Sequence, residues 1–307
     1  MIIIVGVGRS GTSLLQSMLN AHSEIGVLPE IKYFRRFLFS KSLERFRKKN
    51  GTRALIQFLG NDSLLSRLNV DFSKFIEWEN LADRSLDLKI FDCIAEEYLG
   101  KEGKTILGYK DPRCIENLRQ IKAWFPNAYV IHIIRDPRDI LLSKTKADWS
   151  KSRSWFLHIL INQLQLQLGL NSGYLFKERY IEIHYEALLR EPEQSLRSLC
   201  EKLGVIYEDS MLEFSHSATK LVSPDEMQWK KETLGPLLQD NIRKWEGELS
   251  CLQIGSVEEL VGSAFEHYNY QKTCSTLTPW QTVVFPVIRT MNDMAAAAYD
   301  FLNKVRI

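Results

Sequence analysis

Ile2-Ile3-Ile4-Val5-Gly6-Val7-Gly8-Arg9-Ser10-Gly11-Thr12-Ser13-Leu14-Leu15 decides how this chain is read. A β-branched run passes through three glycines and a cluster of hydroxyls into Leu14, Leu15, Met18 and Leu19, which share one helical face. Strand, glycine loop and helix in that order make the loop a candidate phosphate cradle. Successive N–H groups of such a loop converge on one point, and the helix N-terminus adds about half a positive charge there. Glycine lets the backbone approach an anion closely. Arg9 adds a side-chain cation. Taken alone, the segment equally fits a tight strand-to-helix turn in an unrelated α/β protein.

The loop is close to the nucleoside-triphosphatase pattern GxxxxGK[ST], but Thr12 stands where that pattern has lysine. A loop without that lysine is poorly suited to holding a γ-phosphate with magnesium.

Further strand-like runs are Thr105 to Tyr109, Ala128 to Ile134 and Tyr180 to His184, alternating with helical stretches. That alternation predicts an α/β fold, a central parallel sheet flanked by helices. Asp136-Pro137 reads as an N-cap followed by proline at the first helical position. Glu191-Pro192-Glu193 opens another helix, with Leu196, Leu199, Cys200 and Leu203 on one side and Gly204 as its stop. Residues 31–100 read as a helical insertion or lid after the first strand–helix unit, and residues 278–307 as a helical tail. The expectation is one domain over 1–307.

The 307 residues are 45% hydrophobic and 25% charged, which excludes a disordered or fibrous chain. A formal net charge of +2 is too balanced for a general nucleic-acid or membrane-surface binder. Apolar stretches fall short of the roughly 18 to 20 residues of a membrane span. The start of the chain shows no secretory leader, and the five cysteines are dispersed without CxxC spacing, so reduced thiols in the cytoplasm are expected. The six histidines show no metal-ligand spacing.

A second candidate anion site follows the run Ala128 to Ile134, in Arg135-Asp136-Pro137-Arg138-Asp139. Ligands of parallel sheets collect at the carboxyl ends of strands, where Arg135 is placed. Ser143 lies two helical turns beyond Asp136, on the same face as the helix start. Arg135 and Ser143 would approach one phosphate from two sides. The plainer alternative pairs Arg135 with Asp139 at the surface, a contact of little worth.

Gly-x-x-Arg-Ser-Gly-Thr-Ser, then Arg135 and Ser143, then Tyr185-Glu186-Ala187-Leu188-Leu189 with Pro192-Glu193 following, resembles the sulfotransferases that use 3′-phosphoadenosine 5′-phosphosulfate. The motifs run in that family's order over roughly residues 1–250. The resemblance implies a single α/β domain related to the phosphate-loop kinases. It implies sulfonate transfer to an acceptor hydroxyl or amine, releasing adenosine 3′,5′-bisphosphate, with no metal. It sets Arg9 toward the 5′-phosphosulfate and Ser10, Gly11, Thr12 and Ser13 around the 5′-phosphate. Arg135 and Ser143 match the 3′-phosphate pair, and Tyr185 a tyrosine near the adenine. Trp229 and Lys230, in Gln228-Trp229-Lys230-Lys231, stand where the family has a late basic and aromatic loop. Leu14 replaces the tryptophan usual in the steroid and phenol branch, which points to the broader carbohydrate, tyrosine and bacterial natural-product group. The acceptor implied is a small molecule or carbohydrate.

The same resemblance makes Glu30 the candidate base, in Leu28-Pro29-Glu30-Ile31-Lys32-Tyr33-Phe34, where an apolar, aromatic setting would make it a better proton acceptor. The alternative is a helix-start glutamate favoured by the dipole. Lys110, in Gly108-Tyr109-Lys110-Asp111-Pro112-Arg113, resembles the family's lysine lining the acceptor cleft, or is a surface lysine paired with Asp111. His22, His132, His158 and His184 rank below Glu30, in packing or supporting positions. Two rival readings remain: a phosphate-loop kinase or other nucleoside-triphosphate enzyme, and a catalytically silent nucleotide-binding scaffold.

Overall fold

The computed structural model describes residues 1–73, 86–222, 234–273 and 277–305. Five strands form one sheet: β1 Ile2–Gly6, β2 Ile25–Val27, β3 Ile106–Lys110, β4 Tyr129–Ile134 and β5 Tyr180–His184. Their order is β2-β3-β1-β4-β5, and every pairing is parallel. β1 is central, with Ile3 between Tyr109 of β3 and Val130 of β4. All five β1 residues are buried, as a strand covered on both faces requires.

Alternation along the central strands divides the interior in two. Ile3, Val5, Tyr109 and Val130 face one core with Phe34, Phe37 and Phe91. Ile2, Ile4, Ile131 and Ile133 face the other with Leu15, Met18, Leu188 and Leu196. A third cluster gathers Val7, Ile134, Ile140, Ile159, Val257 and Phe285 beyond the carboxyl edge of β4.

The helices are α1 Thr12–Asn20, α2 Ser42–Asn50, α3 Thr52–Gly60, α4 Leu86–Glu102, α5 Leu118–Trp124, α6 Pro137–Lys146, α7 Trp155–Gly173, α8 Tyr185–Arg190, α9 Pro192–Leu203, α10 Ser215–Leu221, α11 Cys251–Val261, α12 Ser263–His267 and α13 Pro279–Val305. The α/β architecture is the one expected. The tail is a 27-residue helix. The described part of the 31–100 region holds α2, α3 and most of α4, and it follows β2 rather than α1. β2 is only three residues long, so its alternation is too short to stand out in the sequence. Gly204 ends α9 in the left-handed conformation, with φ 74°. Among the described residues, no helix is long and apolar enough to cross a membrane.

Candidate functional site

Because all five strands are parallel, the loops after β1, β2, β3 and β4 open on one edge of the sheet. The loop after β1 is capped by Gly11, φ 100°, with no side-chain cap and no acidic residue in the first turn of α1. The first-turn N–H groups of α1 therefore have no side-chain acceptor from the cap position. Glycine at position 11 is a steric necessity: a Cβ there would stand 2.3 Å from Cδ2 of Tyr185. Arg9, the cation of the loop, is itself held at φ 79°, a left-handed conformation that costs energy and concentrates at functional sites.

The Arg9 guanidinium donates from Nε to Oγ of Ser143, one turn from the end of α6, at 2.8 Å. Ser143 thus meets Arg9 directly. Arg135 reaches the loop from the end of β4. Its Nη1 donates to the Arg9 carbonyl at 3.2 Å and its Nη2 to the Asn241 carbonyl at 3.1 Å. Its guanidinium carbon lies 4.4 Å from the centre of the Tyr185 ring. The Arg135 Nε is buried without a hydrogen-bond partner. Tyr185 Oη accepts from Asn241 Nδ2 at 2.7 Å. Asp139 is not the ion-pair partner of Arg135. It accepts from the main-chain N–H groups of Arg243 (2.9 Å) and Trp245 (3.1 Å), anchoring the segment that carries Asn241. Burial, opposed by Arg135, holds the Asp139 carboxyl above its ordinary range.

On the other side of the loop, β2 delivers Glu30 and β3 delivers Lys110. The Glu30 segment is fixed at three points: Leu28 N–H donates to the Gly108 carbonyl at 2.9 Å, Gln16 Nε2 donates to the Leu28 carbonyl at 2.8 Å, and Phe34 stacks on Tyr109 with centroids 4.0 Å apart. Lys110, 1% exposed, forms an ion pair with Glu30 rather than with Asp111. Asp111 pairs instead with Arg35 at 2.7 Å and caps the turn beginning at Pro112. Burial raises the Asp111 carboxyl above its usual value, with Arg35 opposing. The setting of Glu30 is thus an ammonium partner at a cavity wall, not the apolar pocket expected from its neighbours in sequence.

A cavity of about 360 Å³ joins the glycine loop to the Glu30–Lys110 pair. Gly8, Arg9, Thr12 and Ser13 of the glycine loop form one wall, and Glu30 and Lys110 another. Arg35, Arg113 and Trp149 complete the lining together with Lys32, Asp111 and Pro112. Ser10, Gly11, Arg135, Ser143 and Tyr185 do not line it. The Ser10 hydroxyl is turned beneath the loop, buried and without a hydrogen-bond partner, so near Gly6 that a Cβ there would stand 2.7 Å from it. Trp229 and Lys230 lie outside the described residues.

None of the four histidines considered as bases lines this cavity. His22 bonds Ile206 and Glu24 main-chain groups, His158 the Ser150 carbonyl, and His132 the Tyr180 hydroxyl. His184 lies in a separate cavity of about 540 Å³ with Arg138, Glu186 and Tyr270. Sequence reading missed Asn241, Arg35 with Asp111, and Trp149. Asn241 sits 106 residues from Arg135 in no pattern of its own. Trp149, close after the helix bearing Ser143, offered a signal.

A family model described as the sulfotransferase family matches residues 2–209. Protein-tyrosine sulfotransferase 2 of Gallus gallus is 22% identical over 272 residues, 81% of this chain and 64% of that protein. Protein-tyrosine sulfotransferase A of Caenorhabditis elegans is 23% identical over 263 residues, 81% and 61% respectively. An uncharacterized protein of Aquifex aeolicus (strain VF5) is 23% identical over 260 residues, 80% of this chain and 30% of that protein. The chain thus spans less than two thirds of the length of these relatives. In fold it is similar to the sulfotransferase domain of the Synechococcus PCC 7002 olefin synthase, with TM-score 0.61, 20% identity, and 88% and 94% of the two chains covered. The sulfotransferase domain of the curacin biosynthetic pathway gives 0.63, 20%, 89% and 98%.

Proposed function

The chain belongs to the sulfotransferase family, and from that premise we propose that it moves a sulfonate from 3′-phosphoadenosine 5′-phosphosulfate to an acceptor hydroxyl, with Glu30 as general base. The observation that carries this reading is the convergence of the glycine loop, Arg9 and the Glu30–Lys110 pair on one cavity. The donor fits the residues present. The Nε of Arg135, buried without an acceptor beside the glycine loop, has a donor to offer a 3′-phosphate, and the uncapped start of α1 suits a 5′-phosphate.

When bound, the donor supplies a sulfonate on a phosphate leaving group. Thr12 and Ser13 would hold the 5′-phosphate, Arg135 the 3′-phosphate, and Tyr185 the base of the nucleotide through the wall it forms beneath Gly11. Glu30 would take the hydroxyl proton as the acceptor oxygen bonds sulfur. Lys110 would turn from Glu30 to the sulfonate oxygens, freeing the carboxylate for that proton. Arg9 and the α1 N–H groups would receive the charge left on the phosphate oxygen as its bond to sulfur breaks. Ser143, bonded to Arg9, would set the position of that guanidinium. Trp229 and Lys230 are proposed for the nucleotide on the family resemblance alone.

The acceptor is a hydroxyl of a small molecule or carbohydrate, or a phenol of the kind named in the tyrosine sulfotransferase relatives. The setting proposed is the cytoplasm, supported by the thiols of Cys93, Cys114 and Cys200. The family match disfavours a triphosphate-dependent phosphotransferase, as does Thr12 in place of lysine. Calorimetric titration with adenosine 3′,5′-bisphosphate tests the donor site: micromolar or tighter binding is expected, and none at high micromolar concentration would remove the reading.

A further inference from the structure

The last helix, α13, has two different faces. One is committed to the body of the protein. Phe285, Gln281 and Ala296 are buried. Asn292 Nδ2 donates to the Leu160 carbonyl at 3.0 Å, Gln163 donates to Asp293, and Arg119 and Ser172 donate to Asp300 at 2.6 and 3.0 Å. The opposite face carries Trp280, Val284, Val287, Met291, Met294, Ala298 and Phe301, at alternating steps of four and three residues. All seven are exposed: Met291 and Met294 are each 66% accessible, Phe301 63% and Trp280 58%. Val283 and Leu302 widen the stripe at its ends, at 69% and 53%. Pro286 lies beside the stripe, not in it.

We propose that this stripe is the interface of a two-fold dimer, with α13 of a second copy packed antiparallel along it. Three observations choose that occupant. First, the 3.5-residue period keeps the apolar seam on one side over about 30 Å of helix, which matches another helix rather than a loop or a point contact. Second, eight large apolar side chains of this helix stand 38–69% exposed, an extended apolar surface of the kind that a standard interface, about 800 Å² from each partner, takes up. Third, the face has no charged rim. Between residues 279 and 305 the charged residues are Arg289, Asp293, Asp300 and, in the last turn, Lys304. The two aspartates bond the chain's own Gln163, Arg119 and Ser172. Arg289 packs over Gly262, where a Cβ would meet its Cδ at 2.5 Å. A helix that lies on a membrane carries lysine and arginine all along its polar flanks; this one has two basic residues, Arg289 and Lys304, fifteen positions apart.

The stripe is also complementary to itself. Set antiparallel in heptad register, Phe301 of one copy meets Val284 of the other, Ala298 meets Val287, and Met291 meets Met294. Large side chains fall opposite small ones, and the adaptable methionines meet at the centre. The contact is the same patch on both copies, so it closes as a dimer and does not propagate. The inference stands apart from the proposed activity.

Sedimentation velocity of the chain at tens of micromolar tests it. The expected mass is that of two chains. Val287→Glu combined with Met291→Glu is expected to sediment as one chain, with at least a hundredfold weaker association and an unchanged far-ultraviolet circular dichroism spectrum. As a second measure that keeps the face apolar, Met291→Cys combined with Met294→Cys is expected to form a two-chain covalent species on mild oxidation. A wild-type mass of one chain would overturn the proposal. So would a two-chain mass that survives the glutamate substitutions, or co-sedimentation of the wild type with anionic phospholipid vesicles in place of self-association.

Discussion

Arg135 donates from Nη1 to the main-chain carbonyl of Arg9 at 3.2 Å, across 126 residues of sequence. The glycine loop after β1 and the loop after β4 are therefore one construction, because their strands are neighbours in the sheet. Arg135 is held further by the Tyr185 ring at 4.4 Å and the Asn241 carbonyl at 3.1 Å, while its Nε keeps a donor to spare.

In the proposed donor site, that spare donor would let Arg135 distinguish nucleotides with a 3′-phosphate. A hydrogen bond to a charged group contributes about 1.5–3 kcal/mol, so Arg135→Ala is expected to weaken adenosine 3′,5′-bisphosphate about tenfold to hundredfold. Binding of adenosine 5′-monophosphate should change little. Calorimetry on both ligands checks this, and an equal loss for the two would assign Arg135 a purely structural role.

Glu30→Gln keeps the shape of the side chain and removes its ability to take a proton. With Glu30 as general base, kcat for sulfonate transfer should fall about a hundred- to ten-thousandfold. The dissociation constant of adenosine 3′,5′-bisphosphate should stay near the wild-type value. Turnover that persists in Glu30→Gln would exclude Glu30 as the essential base. Lys110→Met leaves Glu30 without the ammonium it pairs with, and is expected to lower kcat as well, by roughly tenfold or more.

Gly11→Ala sets a Cβ against the Tyr185 ring at a residue whose φ is 100°. Strain of this kind costs on the order of 1–3 kcal/mol. Differential scanning calorimetry should show a lower melting temperature, and nucleotide affinity should fall with it. Gly8→Ala is the control: nothing lies within 4 Å of a Cβ at that position, and its melting temperature should match the wild type.

Lys144, beside Ser143 on α6, is 4% exposed and donates to Asn162. Burial lowers its pKa to about 7, with Arg153 and Arg113 adding to the effect and Glu116 opposing it. Below about pH 7 the folded protein carries a buried ammonium and its desolvation cost. Between about pH 7 and the ordinary lysine value of 10.5 the unfolded chain holds the extra proton, so stability rises with pH through that window. Lys144→Met should be more stable than the wild type at pH 6, by about 1–3 kcal/mol, and should lose this rise. Chemical denaturation at pH 6 and pH 9 measures both, and a variant with the wild-type pH profile would contradict it.

Much of the fold is written in local pattern. The β-branched runs of β1 and β4 and the apolar face of α1 depend on near neighbours, and so does the cap at Asp136, whose side chain accepts from Arg138 N–H at 2.9 Å. Arg9 and Arg135 are legible because each follows a strand, where a parallel sheet collects its ligands, whereas Glu30 and Lys110 are reached through the family resemblance. β2 is too short for its pattern to register. Asn241 and the Arg35–Asp111 pair left no mark, since contacts across tens of residues have no periodicity.

Local pattern is enough for the α/β class, for the strand–loop–helix that opens the chain, and for the residue types at the ends of β1, β3 and β4. The pairings among those residues come from the folded arrangement. Lys110 joins Glu30 and not Asp111, Ser143 joins Arg9, and Asp139 holds the Asn241 segment and leaves Arg135 to the loop. The reason is that strand order is a long-range choice. Setting β1 between β3 and β4 brings together loops that the chain separates by more than a hundred residues, and burial then allows each charge only a partner within hydrogen-bond reach.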